Sequence, residues 1–155
     1  MKKLIYTCVL STILSASCLM AENQSYNYTS IGAGLNLTSP IPVPNIQIGH
    51  REIYEDRAMD ISLGFSTAII ASALQMNVNS LSYINAGRSY IGGGLTAQFV
   101  IMPLEPFAFF EVMPNFIIGK ETEKNFSQVK ISAMSFSDYG IAFAPYITYQ
   151  YGFKF

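Results

Sequence analysis

The sequence predicts an all-β fold, an eight-stranded antiparallel up-and-down barrel. Three observations lead there. Past residue 25, apolar residues recur at every second position, the period of a strand. Clusters of turn-forming residues cut that pattern into eight segments joined by short connections, which require antiparallel neighbours. Half of the 155 residues are hydrophobic and only 12% are charged, against about 25% in ordinary soluble domains. Mean hydropathy is +0.30, yet past the N-terminal segment no run of ~20 apolar residues offers a spanning helix. A chain of this length is one domain. Nine basic and ten acidic side chains give a net charge of −1, which leaves no basic footprint for nucleic acid.

The first element is MKKLIYTCVLSTILSASCLMAENQ. Lys2 and Lys3 precede a short apolar run from Leu4 to Leu14, and small residues follow. That order is a secretory signal peptide, too short in its apolar run to cross a bilayer as a helix. Cleavage is expected after Ala21, giving residues 1–21 as leader and 22–155 as the barrel domain. Cys8 and Cys18 are the only cysteines and both lie in the leader, so the mature domain has no disulfide and no cysteine metal site. A competing reading comes from Leu14-Ser15-Ala16-Ser17-Cys18, which resembles a bacterial lipobox and would make Cys18 a lipidated first residue.

Strands are expected near residues 26–38, 44–54, 58–70, 73–86, 89–102, 106–119, 126–138 and 141–155. The clearest is the third, where Met59, Ile61, Leu63, Phe65 and Ile69 share one face and Asp60, Ser62, Gly64, Ser66 and Ala68 the other. The fifth repeats the pattern, with Ile91, Leu95, Phe99 and Ile101 opposite Gly92, Gly94, Thr96 and Gln98. The separators are Ser39-Pro40 with Pro42 and Pro44, Glu55-Asp56-Arg57, Ala71-Ser72, Gly87-Arg88, Pro103 to Pro106, Lys120 to Asn125, and Tyr139-Gly140. The fourth strand changes phase near Asn79-Ser80, as a bulge would cause. The sixth contains Pro114, which cannot donate to a ladder.

Alternation does not say which face looks outward. A soluble or lipid-anchored periplasmic barrel would turn the Phe/Tyr/Ile face inward around an apolar ligand. A transmembrane barrel would turn it into lipid and pack small or polar residues inside. The would-be soluble surface carries too few charges, since Asp60, Gln98, Gln150 and Lys154 stand among Gly, Ala and Ser. Several strands also exceed the ~9–11 residues that cross the apolar layer. A transmembrane barrel is therefore expected.

The final strand, YITYQYGFKF, places Tyr149, Tyr151, Phe153 and Phe155 at alternate positions. This resembles the C-terminal signature of bacterial outer-membrane barrels, and by pattern the rest of the chain resembles small barrels of the OmpX, OmpA-transmembrane and opacity-protein kind. The resemblance implies location in the outer membrane of a Gram-negative-type bacterium. The partners it implies are outer-membrane lipid and the barrel-assembly machinery, which would read that strand.

Eight strands enclose an interior that side chains fill, so an open pore is not expected. The assigned phase sends Arg51, Asp60, Gln98, Glu111, Lys130, Gln150 and Lys154 into the lumen. Charges enclosed there must pair, so a polar network filling the interior is expected, and no cofactor, metal or catalytic residue is assigned. His50, the single histidine, raises the alternative of a membrane-embedded lipid A-modifying hydrolase, with Ser62 or Ser66 as nucleophile and Glu52 or Glu111 as orienting acid. No local motif joins these residues. The stretches Gly32-Ala33-Gly34 and Gly92-Gly93-Gly94 precede no helix, which excludes a phosphate loop. With both termini in the periplasm, the external connections near 39–43, 71–72, 103–106 and 139–140 are short. The charged run Lys120 to Lys124 then falls on the periplasmic side, which argues against a loop-based adhesin. A non-catalytic envelope-structural or surface-interaction role is the expectation that follows.

Overall fold

The computed structural model describes residues 24–36, 39–68, 71–84, 88–102, 107–136 and 141–155. The expected leader, residues 1–21 with Cys18, lies outside them. The strands are β1 (Gln24–Asn36), β2 (Ser39–Tyr54), β3 (Arg57–Thr67), β4 (Ser72–Ile84), β5 (Ser89–Met102), β6 (Phe107–Glu121), β7 (Asn125–Phe136) and β8 (Ile141–Lys154). Each pairs antiparallel with the next, and β8 returns to β1 from Tyr28↔Lys154 to Asn36↔Tyr146, closing the barrel. The start of β1 and the end of β8 share one end, here the terminal end, with the β2–β3, β4–β5 and β6–β7 connections.

Closure fixes the faces. Ile48, Leu63, Phe110 and Tyr149 point outward with 59%, 52%, 65% and 54% of their surface exposed, while Arg51, Asp60 and Gln150 are buried inside. The inward-facing aromatic ligand cavity of the soluble reading is not found among the described residues: the Phe/Ile/Leu face points outward, and beyond a ring cluster at the terminal end the interior is lined mainly by Gln, Asn, Ser and Thr. The outward aliphatic and aromatic belt is the surface that a hydrocarbon layer covers at no cost, whereas water would meet it at about 25 cal/mol per Å².

Several expected boundaries move. The prolines at 40, 42 and 44 lie within β2, which pairs with β1 as far as Leu35↔Pro42 and Asn36↔Ser39. The ladder irregularity falls there, between Leu35 and Asn36, and again between Met134 and Phe136. No bulge occurs at Asn79-Ser80. The β3–β4 and β4–β5 registers run unbroken through them. The hydrophobic pattern changes phase because the interior itself turns apolar toward the terminal end, where Leu81 packs with Ala58, Tyr90 and Ile117. β6 extends past the expected stop at 119 to Glu121. Pro114 sits inside β6, pairs with Leu95 of β5, and faces outward.

Candidate functional site: the filled interior

At the terminal end the interior is built around one guanidinium. Arg51 of β2 donates from Nε to Asp60 Oδ2 at 3.0 Å, from Nη1 to Glu121 Oε2 at 3.0 Å, and from Nη2 to Gln128 Oε1 at 3.3 Å. Four rings surround it: Tyr90, Phe126, Tyr26 and Tyr28, with centroids 4.7, 4.9, 5.8 and 5.8 Å from Cζ. Arginine suits this position because its planar fork can engage two carboxylates while its faces stack on aromatics.

Glycines make room for those rings. Tyr28 lies across from Gly49, Tyr90 from Gly119 and Phe126 from Gly152 in their ladders. A Cβ at any of the three glycines would lie within 2.1–2.4 Å of the facing ring. Each ring therefore lies flat over its cross-strand glycine, a recurring ring-over-glycine arrangement in sheets. Tyr28 and Phe126 also meet edge to face at 4.9 Å.

The carboxylates are fully engaged. Asp60 Oδ1 accepts from Tyr28 Oη and Asn79 Nδ2. Glu121 accepts from Tyr26 and Tyr83 as well as Arg51, and its other oxygen from Lys154 Nζ at 2.9 Å. Lys154 also caps the Tyr26 ring. Beyond this cage the barrel mouth is an open depression of about 1140 Å³ whose lining includes Arg88, Glu123 and Lys124.

Toward the other end the polar interior is mostly amides and hydroxyls, with Lys130 and Glu111 among them. Lys130 donates to Asn77 Oδ1 at 2.8 Å, which also accepts from Thr96. Asn115 donates to Thr96, and Asn77 to Ser62. Gln98 donates to Glu111 and accepts from Gln75. Gln150 accepts from Gln128.

The structure places six of the seven lumen residues inside with polar partners: Arg51, Asp60 and Gln150 share one network through Gln128, while Gln98 with Glu111 and Lys130 with Asn77 form two others. Lys154, the seventh, joins Glu121 near the mouth. Glu121 and Gln128 are not among the lumen residues the sequence pattern nominates, Glu121 because the expected sixth strand stops at 119. The signal was present: Met113, Asn115, Ile117 and Gly119 continue in phase to Glu121. The ring cage is not foreseen either, since the alternation sends aromatics to the lipid face.

His50 is exposed on the outer face and contacts Asn27 Oδ1 at 2.9 Å through Nδ1. Ser62 and Ser66 are buried on the opposite face of the sheet, and Glu52 is bonded by Tyr54. The hydrolase constellation is not assembled. Among the described residues no cluster of His, Cys, Asp and Glu could hold a metal.

Tyr149, Phe153 and Phe155 point outward, and Phe155 exchanges two backbone hydrogen bonds with Asn27.

No protein-family model matches the chain, and no curated protein matches it in sequence. Solved structures do match in fold. The N-terminal β-barrel domain of Pseudomonas aeruginosa OprF aligns with a TM-score of 0.58 at 14% identity, over 86% of this chain and all of that one. Neisserial surface protein A aligns with a TM-score of 0.58 at 6% identity, over 86% of this chain and 96% of its own. The chain is thus an eight-stranded closed antiparallel barrel with the fold of small outer-membrane barrels of the OmpX, OmpA-transmembrane and opacity-like kind.

Proposed function

We propose that the chain is a non-catalytic outer-membrane protein of a Gram-negative-type bacterium, with an envelope-structural or surface-interaction role and an interior closed to solutes. The observation that carries the reading is the Arg51 cage. A fully buried cation, two carboxylates and four rings occupy the terminal half of a barrel whose outer face is apolar. Opening a path there would break ion pairs already removed from water, and orphaning one partner of such a pair costs about 3–5 kcal/mol. The interior is structural filling in this reading, and outer-membrane lipid is the partner of the exterior. The outward ring of Phe155 and those of Phe153, Tyr151 and Tyr149 would be read by the assembly machinery on a strand that then closes against β1.

Membrane fractionation with heat-modifiable electrophoretic mobility tests the location. The protein should be in the outer-membrane fraction and migrate differently before and after boiling; recovery in the soluble periplasm refutes the reading. Solute flux into vesicles tests closure: reconstituted protein should leave small sugars excluded, and measurable uptake would show an open lumen.

A further inference from the structure

The barrel is not zipped equally all round. The β5–β6 ladder runs the full length of β5, from Ser89↔Lys120 to Met102↔Phe107, and β7–β8 runs to Phe136↔Ile141. Between them, β6–β7 runs from Glu121↔Phe126 only to Asn115↔Ser132. Among the described residues, Glu111–Pro114 and Ala133–Phe136 continue in both strands without pairing to each other. The residue just past the last rung on β6 is Pro114, which has no N–H to offer.

This seam lies in the apolar belt. Phe116 and Ile131, the outward pair just below it, and Val112 above it are exposed on the lipid face. Backbone groups left unpaired in that belt cost several kcal/mol each, so the seam is where the wall resists separation of its strands least.

The inner side of the last rung carries a second observation. Asn115 and Ser132 both point inward and are buried, and Asn115 Oδ1 and Ser132 Oγ have no hydrogen-bond partner. One inward step further along β7, Lys130 is 3% exposed. It forms no ion pair among the described residues and gives one hydrogen bond, to Asn77. Across from it in the ladder stands Thr148, buried and inward. The nearby carboxylates are committed elsewhere, Asp60 to Arg51 and Glu111 to Gln98.

We propose that the β6–β7 seam is a lateral portal for a single-chain fatty-acid anion, whose acyl chain lies between the strands and whose carboxylate is held by Lys130, Ser132 and Asn115. Parting Glu111–Pro114 from Ala133–Phe136 breaks no ladder pair, because among the described residues none joins these two segments. The interior of an eight-stranded barrel accepts only a small head group, which selects a carboxylate over a phospholipid head. A carboxylate supplies the missing counter-charge to Lys130 and an acceptor for the Ser132 hydroxyl, while the Asn115 side chain can present its amide once released from Thr96. The inference rests on the membrane reading above, and the experiment separates the two.

The chain contains no tryptophan, so single tryptophans report without background. The protein, reconstituted in vesicles and checked for heat-modifiable mobility, is titrated with a dibrominated long-chain fatty acid, whose bromines quench tryptophan on contact. Phe116→Trp, outward beside the seam, should be quenched, as should the inward Met113→Trp. Inward Ile117→Trp, below the last rung, should not. If Met113→Trp does not fold, Val100→Trp on β5, inward and two inward positions further from the terminal end, reports the interior beyond the last rung. An unquenched inward reporter beside a quenched Phe116→Trp overturns the portal and leaves the membrane reading standing. An unquenched Phe116→Trp overturns both. The methyl ester of the same acid should quench the inward reporter about tenfold more weakly, as should the acid on a Lys130→Gln background, with Lys130→Arg retaining binding. Equal quenching by acid and ester, or by a brominated phospholipid, refutes the carboxylate site.

Discussion

Replacing Arg51 with methionine should destabilise the barrel by about 3–5 kcal/mol, the cost of removing one partner from a buried ion pair. Methionine is close to arginine in length and fills much of the same space, so the penalty comes mainly from what is left unpaired. Glu121 keeps Lys154, Tyr26 and Tyr83 as donors. Asp60 is left with Tyr28 and Asn79, buried and charged without its cation. The loss should therefore concentrate on Asp60, and the double variant Arg51→Met/Asp60→Asn should recover about 2 kcal/mol of it, since removing both charges restores neutrality. Arg51→Lys should lie between, because an ammonium cannot span Asp60 and Glu121 with the same fork. Equilibrium unfolding in urea, read by the mobility difference between folded and unfolded protein on unboiled gels, measures all three against the parent. A single variant within about 1 kcal/mol of the parent, or a double variant no better than the single, would refute the idea that the cage holds this end together.

The cage makes a steric prediction too. Gly119→Val places a Cβ about 2.3 Å from the Tyr90 ring, so the ring must swing away from Arg51 at a cost of about 1–3 kcal/mol in the same assay; an unchanged midpoint would show the fit to be loose. On the outer face, Leu63→Arg puts a charge in the apolar belt and should cost about 2–4 kcal/mol in a bilayer; a neutral result would place that face in water. Phe155→Ala keeps the backbone bonds to Asn27 and removes only the outward ring. Its folded yield in cells should fall while refolding in detergent is unaffected, and equal losses in both would assign the ring a purely structural role.

Much of the architecture was legible in the sequence, and the reason is geometric. A sheet with two unlike faces must alternate strictly, so Met59 to Phe65 and Ile91 to Ile101 announce the strand and which residues share a face, while the scarcity of charge on the polar face says which side turns outward. What failed was any inference that took hydrophobicity as a guide to direction near the terminal end. Leu81, Tyr90 and Ile117 are apolar and point inward, because the charges of Arg51, Asp60 and Glu121 need a dry surround of rings and aliphatics. That inversion produced the false bulge at Asn79-Ser80 and hid the aromatic cage. The partners of Arg51 were illegible for another reason. Glu121 and Gln128 lie 70 and 77 residues away along the chain, and only the register of a closed barrel brings them together. The short β6–β7 ladder was foreshadowed by Pro114 alone, which signals a missing donor without saying which neighbour loses it.

The most direct test of the inverted faces is collision accessibility of nitroxide labels. Single cysteines at Ile61, Leu63, Phe65, Met76 and Phe99, all outward and apolar, would be labelled in vesicle-embedded protein and probed with oxygen and with a water-soluble nickel chelate. Labels in the bilayer should collide often with oxygen and rarely with nickel, most strongly near mid-belt. Ready nickel access at these five positions would put the apolar face in water and contradict the membrane barrel.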